Sequence, residues 1–200
     1  MRIVGGTFRG RQFHPGKSFR SRPTTDFGKE GLFDILENII DWEETAALDL
    51  FAGTGSISFE LVSRGCNHVT AVEKDFVHCR FIRETAATLG INNINLIKTD
   101  VFRFMLGKPG SWDLVFADPP YTMKDFESVA GNILASGIVK EGGLFILEHS
   151  KAHSFKELPE FVEIRKYGSV HFSFFRPKMA VADLTSPPAP LHPEEGNAPE

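Results

Sequence analysis

From residue 46 onward the chain alternates short apolar runs with amphipathic stretches, and after residue 160 the alternation stops. The runs predict strands near 47–51, 69–72, 94–97, 114–117 and 144–148, with helices near 56–64, 76–89 and 126–135 between them. Such βα alternation builds a parallel sheet with helices on both faces, because each connection must travel back over the sheet. The last two apolar-rich runs, 161–167 and 170–175, are joined only around Gly168-Ser169. No crossover helix fits there, so these strands must pair antiparallel. The expected fold is therefore α/β, a mostly parallel seven-stranded sheet finished by a C-terminal antiparallel hairpin.

The first segment carries Gly5, Gly6 and Gly10 among β-favouring residues and suggests a small N-terminal β-hairpin. A loop with Pro15, Gly16 and Pro23 follows. Thr24 or Thr25 then offers the cap of a helix in which Leu32, Ile35, Leu36, Ile39 and Ile40 recur at helical spacing. At 200 residues one domain is the expectation: a basic extension over 1–23, a core over 24–178, and a disordered Pro-rich acidic tail over 179–200. No stretch approaches the ~18 apolar residues of a membrane span. The N-terminus lacks the regions of a signal peptide, and Cys66 and Cys79 form neither a CxxC zinc spacing nor a disulfide framework. A cytoplasmic protein without a metal is expected.

Net charge is -4, but it is unevenly spread. Residues 1–30 hold Arg2, Arg9, Arg11, Lys17, Arg20, Arg22 and Lys29 against Asp26 and Glu30, whereas the tail holds only acids. A basic N-terminal segment points to a polyanionic partner or to a solvated arm that is basic by chance.

Asp49-Leu50-Phe51-Ala52-Gly53-Thr54-Gly55-Ser56 reads as a strand, a glycine turn and a helix start. Glycines let a ligand approach the backbone closely, and in an open α/β sheet this turn lies where ligands bind. The third glycine of the dinucleotide fingerprint is missing, which disfavours a dehydrogenase. Asp49 is a carboxylate inside an apolar strand, so it needs a partner. The α-amino group of S-adenosylmethionine, reached directly or through water, is a suitable one. Glu73-Lys74 closes the second strand, roughly twenty residues beyond the loop, where an acid can bind ribose hydroxyls or simply sit at the surface. Asp100-Val101 follows the third strand and can meet an adenine amino group and ring.

The strongest signal is Asp118-Pro119-Pro120-Tyr121, at the end of the fourth apolar run. Proline fixes its own φ and holds the residue before it extended, so the oxygens of Asp118 and Pro119 are set in place. Two fixed acceptors can take the hydrogens of an NH2 group and turn its lone pair toward an electrophile, a gain in orientation rather than in basicity. Tyr121, and Phe126 beyond it, can stack on a planar base. This geometry serves guanine N2, adenine N6 and cytosine N4 alike.

Taken together with the opening Arg-Ile-Val-Gly-Gly-Thr-Phe-Arg-Gly-Arg and with Arg22-Pro23-Thr24-Thr25-Asp26, these motifs resemble the bacterial 16S ribosomal RNA guanine-N2 methyltransferases (RsmD-like). The resemblance runs from about Arg2 to Arg176. It implies a Rossmann-like class I methyltransferase fold, S-adenosylmethionine as donor, and a guanine N2 in 16S RNA or an assembling 30S subunit as acceptor, with the protein a monomer. Its donor-site residues map to Asp49, Phe51, Ala52, Gly53, Thr54, Gly55, Glu73, Lys74, Asp100 and Val101, and its catalytic loop to Asp118, Pro119, Pro120 and Tyr121. Arg2, Arg9, Arg11, Arg20 and Arg22 become candidate phosphate contacts. Many relatives carry an Arg-containing stretch where this chain has Phe27-Gly28-Lys29-Glu30, with Lys29 a candidate substitute. The alternatives are a DNA adenine-N6 or cytosine-N4 methyltransferase, disfavoured because no separate target-recognition domain is evident, and a noncatalytic nucleic-acid-binding protein of the same fold.

Overall fold

A computed structural model describes residues 1–16, 26–107 and 109–177. The expected caps Thr24 and Thr25, the arginines Arg20 and Arg22, and the tail 179–200 lie outside the described residues. The strands are β1 (Ala46–Leu50), β2 (His68–Glu73), β3 (Ile94–Lys98), β4 (Trp112–Ala117), β5 (Val139–Ser150), β6 (Phe161–Tyr167) and β7 (Val170–Phe175). The helices are α1 (Asp26–Leu36), α2 (Ser56–Ser63), α3 (Phe76–Leu89), α4 (Val101–Leu106) and α5 (Ser128–Ala135).

All seven strands form one sheet in the order β3-β2-β1-β4-β5-β7-β6. The first five run parallel, and β7 pairs antiparallel with both β5 and β6. From β1 the chain works outward to β2 and β3, then returns to place β4 on the other side of β1. That reversal opens a crevice at the carboxyl ends of β1 and β4, where open α/β sheets bind ligands.

The central strands read as continuous apolar runs because both faces are covered. Leu144 and Ile146 of β5 pack with Leu32, Phe33, Ile57 and Leu61 from α1 and α2. Their neighbours Phe145 and Leu147 pack with Val101, Phe104, Val129 and Ile133 from α4 and α5. Helix α3 is bounded by its own caps: Asp75 accepts from the backbone of Val77 and His78, and Gly90 closes it at φ 69°. Among the described residues no helix is long and apolar enough to cross a membrane.

Two local expectations are corrected. Helix α1 ends at Leu36, and Ile39 and Ile40 lie in a turn whose amides both donate to the Leu36 carbonyl. Helix α4 fills six residues that the apolar spacing did not mark as helix.

The N-terminal segment forms a short version of the expected hairpin: Arg2 bridges Gln12 antiparallel, and the two arms exchange backbone bonds from Ile3 N to Arg11 O (3.0 Å), Gly10 N to Ile3 O (2.8 Å) and Phe13 N to Met1 O (2.9 Å). Contacts from α2 then hold this hairpin to the core. The wholly buried Glu60 carboxylate accepts from the amides of Val4 (2.9 Å) and Gly5 (2.7 Å), and Ser63 Oγ accepts from Phe8 (2.9 Å). Gly6 passes so close that a Cβ there would lie 1.8 Å from the Ser63 carbonyl oxygen. Ile3, fully buried in a cluster with Phe59 and Ile82, adds about 2 kcal/mol of burial to this anchoring.

Candidate active site

One cavity of about 530 Å3 opens at the carboxyl edge of the sheet, over the crevice between β1 and β4. Its wall gathers the glycine loop (Phe51 to Thr54), the acids Asp49, Glu73 and Asp100, their neighbours Lys74 and Val101, and the whole loop Asp118 to Tyr121. Of the fourteen residues assigned from sequence to donor and catalysis, only Gly55 is not on this wall. Gly55 serves one step back, as the N-cap of α2 at φ 75°, where a Cβ would press on Phe59 at 2.9 Å.

The loop after β1 is strained as well as tight. Phe51 has φ 61°, a left-handed conformation unusual for an aromatic residue, and its ring meets Phe102 edge-on at 6.3 Å. The amide of Gly53 (φ 56°) donates to Glu73 Oε2 at 2.8 Å, while Glu73 Oε1 accepts from Asp75 N at 2.8 Å. Glu73 is therefore a buried member of the site rather than a surface acid. Asp100 caps α4, its Oδ1 accepting from Phe102 and Arg103.

Asp49 is 2% exposed. Its Oδ2 accepts both the amide (3.0 Å) and the hydroxyl (2.5 Å) of Ser58, so the first turns of α2 are tied to β1 by a carboxylate. Burial pushes its pKa up to about 7, with the Glu73 charge adding to the rise and the two Ser58 bonds opposing it. Burial also raises the Asp118 carboxyl well above the usual carboxylate range, and the charges of Glu148 and Asp49 raise it further. Two neighbouring acids that resist ionising both gain from a cation placed beside them.

The sequence reading passed over Glu148, although its signal was the one used for Asp49: a charge ending an apolar run. It is 3% exposed, lines the cavity, and accepts from the Tyr121 hydroxyl at 3.4 Å. Ser169 and Val170, from the tight β6 to β7 connection, also reach the wall, so the closing hairpin contributes to the site.

Other assignments change. Phe126 is 3% exposed, stacked on His153 at 4.3 Å and edge-on to Tyr121 at 6.1 Å, so it supports Tyr121 and cannot itself receive a base. Tyr121 keeps 45% of its surface exposed. Lys29, the candidate RNA or donor contact, is 1% exposed; its ammonium donates to the Arg2 carbonyl and lies 3.9 Å from Glu60. Arg2 pairs with Asp26 and Glu30, each at 2.9 Å, and keeps 42% of its side chain exposed. Arg9 and Arg11 are exposed on the N-terminal loop.

A seven-stranded sheet of this order, closed by an antiparallel pair and carrying a glycine loop and an Asp-Pro-Pro-Tyr loop on one cavity, is a Rossmann-like class I methyltransferase fold. The solved structure described as the putative methyltransferase yhhF from Escherichia coli superposes with a TM-score of 0.78 at 24% identity, over 90% of this chain and 98% of that one. Residues 1–176 match the family model described as Conserved hypothetical protein 95. Ribosomal RNA small subunit methyltransferase D of Haemophilus influenzae is 32% identical over 156 residues, 76% of this chain and 79% of that protein. The protein of the same name from Escherichia coli K12 is 29% identical over 159 residues, 80% of this chain and 79% of that protein. The chain belongs to this family.

Proposed function

We propose that this chain is an S-adenosylmethionine-dependent ribosomal RNA methyltransferase. It modifies the exocyclic N2 of a guanine in 16S RNA, working in the cytoplasm as a monomer on the RNA or on the assembling small subunit. The observation that carries this reading is that Asp118-Pro119-Pro120-Tyr121 shares one cavity wall with the glycine loop and its acids. Two relatives named for small-subunit ribosomal RNA methylation support RNA as the acceptor.

The residues fit the donor by their chemistry. Asp49 and Asp118 are acids whose environment favours a positive neighbour. Glu73, fixed by two backbone amides, presents a carboxylate suited to a ribose diol, and Asp100 one suited to an adenine amine, with Val101 beside the ring. When bound, S-adenosylmethionine supplies an electrophilic sulfonium methyl.

The chain's own part is orientation. The Pro120 carbonyl accepts from Met123 N at 2.8 Å, which leaves the acceptor role beside Asp118 to the Pro119 carbonyl. These two oxygens take the amine hydrogens and aim the lone pair, while Tyr121 covers the base. After transfer the nitrogen must lose a proton. Asp118, more basic than an ordinary carboxylate because of burial and Glu148, is placed to take it. Arg9 and Arg11 hold phosphate outside the cavity.

The test supplies labelled donor with unmodified 16S RNA, assembled small subunits or duplex DNA, and maps the product. Label on guanine N2 of 16S RNA is expected. Label on an adenine, or only on DNA, would overturn the reading. Asp118→Ala should abolish transfer with donor affinity within severalfold of wild type.

A further inference from the structure

The loop Asp118 to Tyr121 grips an amine without distinguishing which base carries it; a buried acid beside it makes the distinction. In the register of the sheet, Asp49 lies opposite Phe116, and Phe116 opposite Ile146. Side chains alternate faces with a period of two. Asp118 and Glu148, each two residues further on, therefore stand side by side on the same face as Asp49. Their electrostatic coupling agrees, since the Glu148 charge is the strongest charged neighbour raising Asp118. Strand β5 is on the opposite side of β4 from β1 and its glycine loop. Glu148 thus faces the half of the cavity beyond Asp118, away from the glycine loop, with the Tyr121 hydroxyl donating to its Oε1 at 3.4 Å.

A carboxylate next to the amine-binding oxygens meets whatever ring atom flanks the amine. In guanine the N2 amine is flanked by N1–H, a donor, on its Watson–Crick side, and by N3, an acceptor, on the other. In adenine the N6 amine is flanked by N1, and in cytosine the N4 amine by N3, both bare acceptors. An ionised carboxylate only accepts, so it takes the N1–H of guanine while Asp118 and Pro119 hold the two amine hydrogens, and it sets lone pair against lone pair with the other two. We infer that Glu148 reads the Watson–Crick edge of the acceptor base through N1–H and makes the site selective for guanine. This rests on the reading of the cavity as a guanine-N2 methyltransferase site and names the residue that enforces it.

The experiment uses 2-aminopurine, which keeps the 2-amine of guanine but has an acceptor at N1. RNA carrying guanine or 2-aminopurine at the mapped position is compared as substrate, and as ligand of the donor-free protein. Wild type should favour guanine about tenfold to a hundredfold, the worth of one charge-assisted hydrogen bond. In Glu148→Gln the carboxamide can donate as well as accept, so guanine should lose about that factor and the preference should shrink to severalfold. The preference is a ratio within each protein, so a partly unfolded preparation leaves it unchanged. Wild type using 2-aminopurine as well as guanine, or Glu148→Gln keeping the full preference while methylating guanine N2, overturns the inference alone. Wild-type methylation of adenine overturns it together with the functional reading.

Discussion

Replacing Asp49 by Asn should stabilise the donor-free protein at neutral and alkaline pH while weakening donor binding. The unfolded Asp49 titrates near 3.8 and the folded one at about 7. Between those values the native state holds a proton that the unfolded state has released, so Asp49 makes the protein less stable as pH rises. From pH 5 to pH 7 that slope accumulates ~1.4 kcal/mol per unit, roughly 3 kcal/mol in all, and it levels off above the folded pKa. Asn escapes this cost. Both Ser58 bonds go to a single oxygen, Oδ2, so an Asn carbonyl oxygen in that place keeps them. Its NH2 then points where the second carboxylate oxygen stood, toward the cavity, and offers a donor where the amino group of the ligand needs an acceptor. Losing a charge-assisted hydrogen bond costs about 1.5–3 kcal/mol, or roughly tenfold to a hundredfold in affinity. Thermal or urea unfolding of both proteins at pH 5 and pH 8, with calorimetric titration of donor, measures both effects. The stability advantage of Asp49→Asn should grow by roughly 3 kcal/mol between the two pH values, or about 6–12 °C in Tm for a domain of this size. A pH-independent difference, or undiminished donor affinity, would refute the assignment of Asp49.

With donor saturating, single-turnover transfer should rise with pH and level off well above the usual carboxylate range, because Asp118 must shed its proton to accept the amine hydrogens fully; a flat profile from pH 5 upward would contradict that role. Arg9→Glu with Arg11→Glu should weaken RNA binding and reduce the slope of log affinity against log salt by about one to two, at roughly 0.7–0.9 per phosphate contact. Donor affinity should not move, and its collapse would mean that the segment only supports the fold. Glu60→Ala strips the amides of Val4 and Gly5 of their acceptor and takes from the buried Lys29 ammonium the buried one of its two carboxylates, leaving Asp26 at 4.0 Å. A loss of about 3–5 kcal/mol in urea unfolding is expected, and less than 1 kcal/mol would show that the N-terminal loop is held by something else.

The parts of the fold legible in sequence are those governed by local pattern. Helix α3 sits between Asp75 and Gly90, two residues whose capping chemistry is short-range, and the spacing over 76–89 reproduces it. The final strands are legible because no helix fits between them. Local pattern also counts Ile39 as helical, yet it is 50% exposed in the turn after α1. The docking of the N-terminal hairpin is beyond local reasoning for a clearer reason. Its arms pair with each other, but the amides of Val4 and Gly5 are satisfied by a carboxylate more than fifty residues away in sequence, so β-favouring composition carries no information about how the hairpin docks. In the site, Asp49, Glu73 and Asp118 were readable because a charge at the end of an apolar strand must be compensated. Glu148 obeys the same rule. Charge counting records the sign of Arg2 and Lys29 and not their tertiary partners, Asp26 and Glu30 for one and Glu60 for the other, nor the burial that removes Lys29 from any ligand.

The acids at the edge of the sheet also exclude a dinucleotide more firmly than the missing glycine does. A dinucleotide loop works by turning backbone N–H groups and a helix N-terminus toward pyrophosphate. Here the Gly53 amide is already given to Glu73, and the Ser58 amide in the first turn of α2 is given to Asp49. A phosphate at this turn would meet carboxylates instead of donors. Across five adjacent strands the chain supplies Asp100, Glu73, Asp49, Asp118 and Glu148 in spatial order, one acid from the end region of each. The outer two on the β3 and β2 side are quieted by backbone amides and suit neutral hydroxyls and amines. The central two, Asp49 and Asp118, are left with raised proton affinity on either side of the crevice. Holding them there costs folding free energy, and a ligand recovers it only by bringing positive charge to the crevice and hydrogen-bond donors to its flanks. A sulfonium donor beside an aromatic amine meets that demand, and the pyrophosphate of a dinucleotide does not.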